Sequence, residues 1–459
     1  MKLTAKQKAA FGIGAIGKDM VYALSANYVM YFYKDVIGLS GAFVGLILMV
    51  ARVFDALNDP FMGILVAKTK TRWGRFRPWL VSGTVLNAFV MYLLYAAPDV
   101  EGVPMMAFFS VVYILWGMTY TMMDIPYWSM IPAITSTPAD TENLSVIGRT
   151  CAGVGAALIQ MGTVLTVAAL GRGNERLGFR YVALIVAVVF VLTEVLCAAA
   201  VKERQQTRMQ TASVKEMFTA LFRNDQALVV VLTIVLVNSA LYLTSNLIIY
   251  FFKYDVGGGG EWQGAYTLFS TVGGGFQILG MMVGYPFLRR SLSNVKIFLG
   301  TLCTAMGGYL FILALCLLGM SSSLPLLLIP CAVVFASNGI LTVLTTVFLS
   351  NSVDYGELMT GRREESVIFS MQTFVVKLAS GVSVFIAGIG LDLIGLEGNS
   401  ESAGPITAQS EQTLVGLRLL MTIMPFLVLL CAFLFFRRRF SLTDEVVEEN
   451  ARRLREKAE

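Results

Sequence analysis

The chain has no histidine and little charge. None of its 459 residues is His, and only 14% are Asp, Glu, Lys or Arg. Without imidazole it lacks the commonest transition-metal ligand and the commonest proton shuttle, so proton traffic has to use carboxylates. Soluble domains carry roughly 25% charged residues, which places this chain outside that class. Cysteine is sparse and unpatterned: Cys151, Cys197, Cys303, Cys316, Cys331 and Cys431 all fall within apolar runs, with no C-x-x-C spacing. They read as small buried apolar residues rather than disulfides or metal ligands. No Ser-His, metal-ligand or Walker B pattern occurs, which speaks against a membrane enzyme or a nucleotide-driven pump.

What the chain has is apolar length. It is 56% hydrophobic, and runs of about 20 residues, enough to span a bilayer, recur from end to end. Twelve are expected, beginning near residues 9, 42, 78, 104, 147, 178, 227, 263, 295, 323, 366 and 412, the last ending near 436. MKLTAKQK leads into the first run without a short apolar region and small-residue cleavage site, so that run is read as a retained span. The reading is an all-α, multi-pass membrane protein.

Basic residues sit on alternate connections. Lys2, Lys6 and Lys8, the stretch AKTKTRWGRFRPW (67–79), the stretch 202–225, Arg289–Arg290 and Arg437–Arg439 all fall on one side of a twelve-span chain. Facing connections such as PDVEGVP (98–104) and 396–412 are short or acidic. The positive-inside rule then makes both termini cytoplasmic. The net charge of +5 is a topology signal and needs no nucleic-acid partner. The tail 441–459 reads as a solvated cytoplasmic helix.

The polar stretch 202–226 divides the spans six and six, giving expected bounds of 1–201, 202–226, 227–436 and 437–459. YFYKDVIGLSG (31–41) and YFFKYDVGGGG (250–260) end the first and seventh spans alike. Two parallel six-helix halves are a transporter layout. The second span, LMVARVFDALNDPFMGILVA (48–67), is charged, whereas its counterpart 270–287 is not.

A charge at bilayer depth costs at least about 2.5–3.5 kcal/mol on insertion scales, so each such residue is paired, water-facing or functional. These residues are Lys18, Asp19, Arg52, Asp55, Asp59, Asp124, Arg149, Glu194 and Lys377. Arg52, Asp55 and Asp59 are spaced three and four apart and share a helix face, with Asn58 beside it. Two carboxylates and an amide oxygen suit a hard cation, and by extension Na⁺, Li⁺ or H₃O⁺. A structural network with Arg52 is the alternative. In WGMTYTMMDIPYWSMIP (116–132), Tyr120, Thr121, Asp124 and Trp128 share a broad face. A ring that packs on C–H surface beside a carboxylate that accepts hydroxyl protons makes a sugar-type site; an interfacial aromatic belt is the alternative for Trp128. Lys377 follows Thr373 by four residues, next to Gln372, and is expected to neutralise an acid. Glu194 is read as snorkelling towards the cytoplasmic end of its helix.

FGIGAIGKDM (11–20) contains G-x-G-x-x-G and a near P-loop. A P-loop needs a preceding strand and Ser or Thr after Lys, but Asp19 follows Lys18 here. In a membrane span the glycines read as close-packing positions.

These blocks resemble the glycoside–pentoside–hexuronide:cation symporters, and most closely the melibiose permease branch. The resemblance rests on GAIGKDM (14–20), VARVFDALNDPFMG (50–63), RWGRFRPW (72–79), YILWGMTYTMMDIPYWS (113–129), SVDYGE (352–357), ESVIFSMQTFVVK (365–377) and the YF-K-D signature at 31–35, and it runs over nearly the whole chain. It implies a major facilitator fold of twelve helices in two pseudo-symmetric six-helix bundles, in a bacterial inner membrane. It implies a galactoside-type sugar held by Lys18, Asp19, Asp124, Trp128 and Arg149, with Tyr120, Gln372, Thr373 and Lys377 close by. It implies a monovalent cation at Asp55 and Asp59, with Asn58 and Thr121 nearby: Na⁺ first, Li⁺ or H⁺ as alternatives. No other cofactor is expected, no nucleic acid is implicated, and the monomer is the expected working unit. Proton-coupled uptake of another glycoside, a pentoside or a hexuronide is the runner-up, ahead of a polyspecific exporter. Thr342 stands where melibiose permeases carry Trp, Asn351 replaces an Asp, and the usually basic connection after the fourth span reads TSTPADTEN (135–143).

Overall fold

The computed structural model describes residues 3–135, 138–201, 219, 221–257, 262–361, 365–398 and 408–458. Most of the expected middle connection, and much of 257–260 and 396–412, lie outside the described residues. Among the described residues there are twelve long helices: α1 Ala5–Tyr31, α2 Gly41–Lys68, α3 Arg77–Tyr95, α4 Val103–Ile134, α5 Pro138–Gly171, α6 Glu175–Ala200, α7 Asp225–Tyr250, α8 Gln263–Leu279, α9 Asn294–Leu317, α10 Leu324–Thr360, α11 Glu365–Leu393 and α12 Glu411–Arg439. A thirteenth, α13 Asp444–Ala458, follows.

Eleven of these helices are long and apolar enough to cross a membrane. The other long one is α1, 27 residues in length, whose glycines and Lys18–Asp19 pair lower its hydropathy. Large apolar side chains such as Leu57, Phe61, Phe89, Val111 and Leu192 stand exposed on helix faces, as hydrocarbon surroundings allow and water does not. Starts are fixed locally: Thr4, Ser40, Asn174, Asn224, Ser293 and Ser410 each accept a backbone N–H from the first turn, satisfying a donor the helix leaves idle.

One start departs from expectation. Helix α5 begins at Pro138, not near 147, so most of the expected connection 135–143 is helical. Proline at the first helical position lacks only a donor that would be idle anyway. Thr135 and Thr141 hydroxyls meet at 2.7 Å across the corner. This polar first stretch lies outside the apolar run, so hydropathy does not register it.

The chain forms two compact units, Met1–Thr211 with Glu397–Thr407, and Ala212–Leu396 with Ala408–Glu459. Helix neighbours repeat between them. In the first, α1 packs on α5 and α6, α3 on α4 and α6, and α2 on α4. In the second, α7 packs on α11 and α12, α9 on α10 and α12, and α8 on α10. The short repeat seen in sequence has the same local shape twice. Phe32–Val36 and Phe251–Val256 are both π-helical turns, closed by Ile37 N–H to Phe32 O and Gly257 N–H to Phe252 O, each 2.9 Å. Within the second unit, Arg418 grips Asp255 of that turn with two nitrogens. Arg289 ties α13 through Asp444 at 2.8 Å.

Candidate functional site

The glycines of FGIGAIGKDM let α1 approach its neighbours. A Cβ added at Gly12 would stand 2.8 Å from Cys151 Sγ of α5, and one at Gly14 3.0 Å from Cys197 Cβ of α6. One at Gly17 would stand 3.1 Å from the Phe190 Cα. Helix α5 answers with Gly155, where a Cβ would collide with the Ile16 carbonyl oxygen. Small residues at these contacts bring backbones together, as they do between membrane helices generally.

That approach carries Lys18 into the first unit. Its side chain is 3% exposed. Its Nζ lies 3.0 Å from Asp19 Oδ2 and 2.7 Å from Asp124 Oδ1 of α4, and donates to Tyr120 Oη at 3.2 Å. Trp128 Nε1 donates to the same Asp124 oxygen at 3.1 Å. The ammonium sits 5.1 Å from the Trp128 ring centre, and the exposed Arg149 of α5 lies over that ring at 4.2 Å, within cation–π range. Asp19 and Asp124 keep 21% and 28% of their side chains exposed. A covered base therefore holds two carboxylates whose open edges can accept hydroxyl protons, beside an indole.

Tyr127 and Gly148 complete this cluster, and sequence reading did not single them out. Tyr127 stacks on Phe11 at 4.5 Å and donates to its carbonyl at 2.5 Å. A side chain at Gly148 would meet Trp128 and Phe11. The signal for Tyr127 was its place three residues after Asp124, on the same helix face.

The acids of α2 face α4. Arg52 Nη1 lies 3.8 Å from Asp55 Oδ2, with its guanidinium over Tyr22 at 5.4 Å. Asp55 is 6% exposed, and Gly117 makes room for it: a Cβ there would be 2.5 Å from Asp55 Oδ1. Thr121 Oγ1 lies 3.4 Å from Asp59 Oδ1. Asn58 and Asp59 are half-buried. Asp59 and Thr121 thus bring a carboxylate and a hydroxyl oxygen together between α2 and α4.

Glu194 does not snorkel. It is wholly buried in α6, because it shares a stripe with Ala183, Ala187, Phe190 and Cys197, at helical spacing, and that stripe faces α1. Gln372, Thr373 and Lys377 lie on α11 of the second unit, with Gln372 and Lys377 half-buried and Thr373 exposed. Thr342 on α10 bonds its hydroxyl back to Asn338 O at 2.8 Å.

A family model described as MFS/sugar transport protein matches residues 10–444. The chain is 29% identical over 411 residues to the isoprimeverose transporter of Lactiplantibacillus pentosus, covering 88% of this chain and 83% of that protein. It is 27% identical over 441 residues to the inner membrane symporter YicJ of Escherichia coli (strain K12), covering 96% and 93%. Among solved structures it is similar to a bacterial homologue of the human lysosomal transporter Spinster, with a TM-score of 0.68 at 13% identity over 97% of each chain, a likeness of fold.

Proposed function

This chain belongs to the MFS/sugar transport protein family, and on that premise we propose that it is a cation-coupled symporter of a galactoside-type sugar, with Na⁺ as the first coupling ion. The observation that carries the reading is the Lys18–Asp19–Asp124 cluster beside Trp128. A buried ammonium fixes both carboxylates, so they meet sugar hydroxyls without first losing side-chain freedom. Tyr120 and Arg149 flank them. Gln372, Thr373 and Lys377 are sugar contacts on the resemblance alone.

Asp55 and Asp59, with Asn58 and Thr121, are the proposed cation ligands. Symport requires that each ligand raise the affinity for the other. Helix α4 supplies the physical link, since it carries Thr121 on the cation side and Tyr120, Asp124 and Trp128 on the sugar side. The basic connections and the likeness to an inner membrane symporter support a bacterial inner membrane location with both termini cytoplasmic.

The test is calorimetric binding of a panel of α- and β-galactosides, glucosides, pentosides and glucuronides, with and without Na⁺ or Li⁺ and across a pH step. Tighter galactoside binding with Na⁺ is the expected result. Tighter binding on the pH step alone moves the coupling ion to H⁺. A pentoside or glucuronide preference moves the substrate class, and binding indifferent to every cation overturns symport.

A further inference from the structure

Glu194 has no role in the sites described above, yet it is an unusual side chain. It is 0% exposed, and neither carboxyl oxygen has a hydrogen-bond partner among the described residues. No other described glutamate is buried. It lies where α6 meets α1: a Cβ at Gly14 would be 3.4 Å from its Oε2.

The groups around it can be named element by element. The charged groups acting on it are Lys18 and Asp19 of α1 and Asp124 of α4. Tyr127 of α4 and Cys197 of its own helix are its uncharged titratable neighbours. From α5 comes Cys151, against Gly12. From α3 comes Arg77, whose Nε donates to the Ala198 carbonyl, one turn beyond Glu194, at 2.6 Å.

Charge balance then decides the state of the carboxyl. The single Lys18 ammonium is already shared by two acids, Asp19 and Asp124. An ionised Glu194 would be a third acid on that ammonium, buried and without a hydrogen-bond donor among the described residues, and burial without pairing disfavours the charged form. We propose that Glu194 is a proton-binding site behind the Lys18 cluster, holding a proton that keeps a third negative charge away from the one ammonium. When the proton leaves to water, the new carboxylate competes for the Lys18 ammonium, loosens its hold on Asp19 and Asp124, and weakens the sugar site. The linkage to sugar rests on the proposed function; the proton site itself does not.

The experiment uses the full chain in lipid nanodiscs, with glutamate carrying ¹³C in its side-chain carboxyl. Infrared spectroscopy at neutral pH is expected to show the carbonyl stretch of a protonated glutamic acid, lost in Glu194→Gln. Labelled wild-type protein without that band at neutral pH overturns the proton site, and this arm holds even when the variant fails to fold. In the second arm, the sugar chosen by the binding panel is titrated at neutral and alkaline pH. Wild type is expected to lose affinity several-fold at alkaline pH, and Glu194→Gln to hold it level. An equal loss in the variant overturns the linkage to Glu194. If no sugar binds wild type at any pH, the symporter reading fails and the infrared band judges the proton site alone.

Discussion

The Lys18 ammonium and the Asp124 carboxylate meet at 2.7 Å, across 106 residues of sequence. This charge contact joins the middle of α1 to the C-terminal part of α4. Each partner has a second tie: Lys18 to Asp19, and Asp124 to the indole N–H of Trp128.

Lys18→Met is expected to destabilise the protein by about 2–3 kcal/mol, below the roughly 3–5 kcal/mol for a fully dry pair because both acids keep an exposed edge. The double variant Lys18→Met/Asp124→Leu is expected to unfold at a higher temperature than Lys18→Met, since it strands no acid on α4. Asp19→Ala and Asp124→Ala are each expected to abolish sugar binding by calorimetry. Wild-type affinity in either one moves the sugar site elsewhere.

Trp128→Phe retains an apolar ring but removes the N–H donated to Asp124 and weakens the contact with Arg149. A lost hydrogen bond to a charged group costs about 1.5–3 kcal/mol of stability, and with Asp124 less firmly held the sugar affinity is expected to fall. Binding of the panel's best sugar checks this, and an unchanged dissociation constant would remove Trp128 from the site.

Asp55→Asn and Asp59→Asn are expected to fold normally and bind sugar, yet lose the stimulation by Na⁺. Arg52 stays behind in each, beside an amide in Asp55→Asn. Sugar titrations at matched ionic strength, Na⁺ against a large inert cation, give the comparison. Full Na⁺ stimulation in both variants would make the α2 acids a structural network.

Gly155→Ala is expected to cost about 1–3 kcal/mol, the range for overpacking, because the new methyl would strike the Ile16 carbonyl. Gly153→Ala faces open space and is expected to be neutral or slightly stabilising in a helix. Thermal unfolding of the two side by side separates helix contact from helix propensity.

Much of this was legible in the sequence. Hydropathy placed the helix starts because each span must bury its backbone polar groups within itself, which makes length and apolarity local properties. Spacing put Asp55 on the face of Asp59, and Asp124 on that of Trp128. The start of α5 escaped because Pro138 and the residues after it are polar, and proline chemistry rather than hydropathy begins that helix. Tyr127 escaped because an aromatic on an apolar helix has many bland explanations.

The sequence by itself determined the spans, their basic connections, and the rule that charges this deep need partners. Only the tertiary structure decided which partners. The orientation of each helix about its axis depends on where small residues allow contact. Gly14 and Gly17 turn α1 towards α6, and this buries Glu194 in the interface when its position alone suggested a path to water. The same approach, with Gly155 admitting the Ile16 carbonyl, brings Lys18 between two carboxylates 1 and 106 residues away. Contacts over such separations are set by packing across helices, which no local pattern encodes.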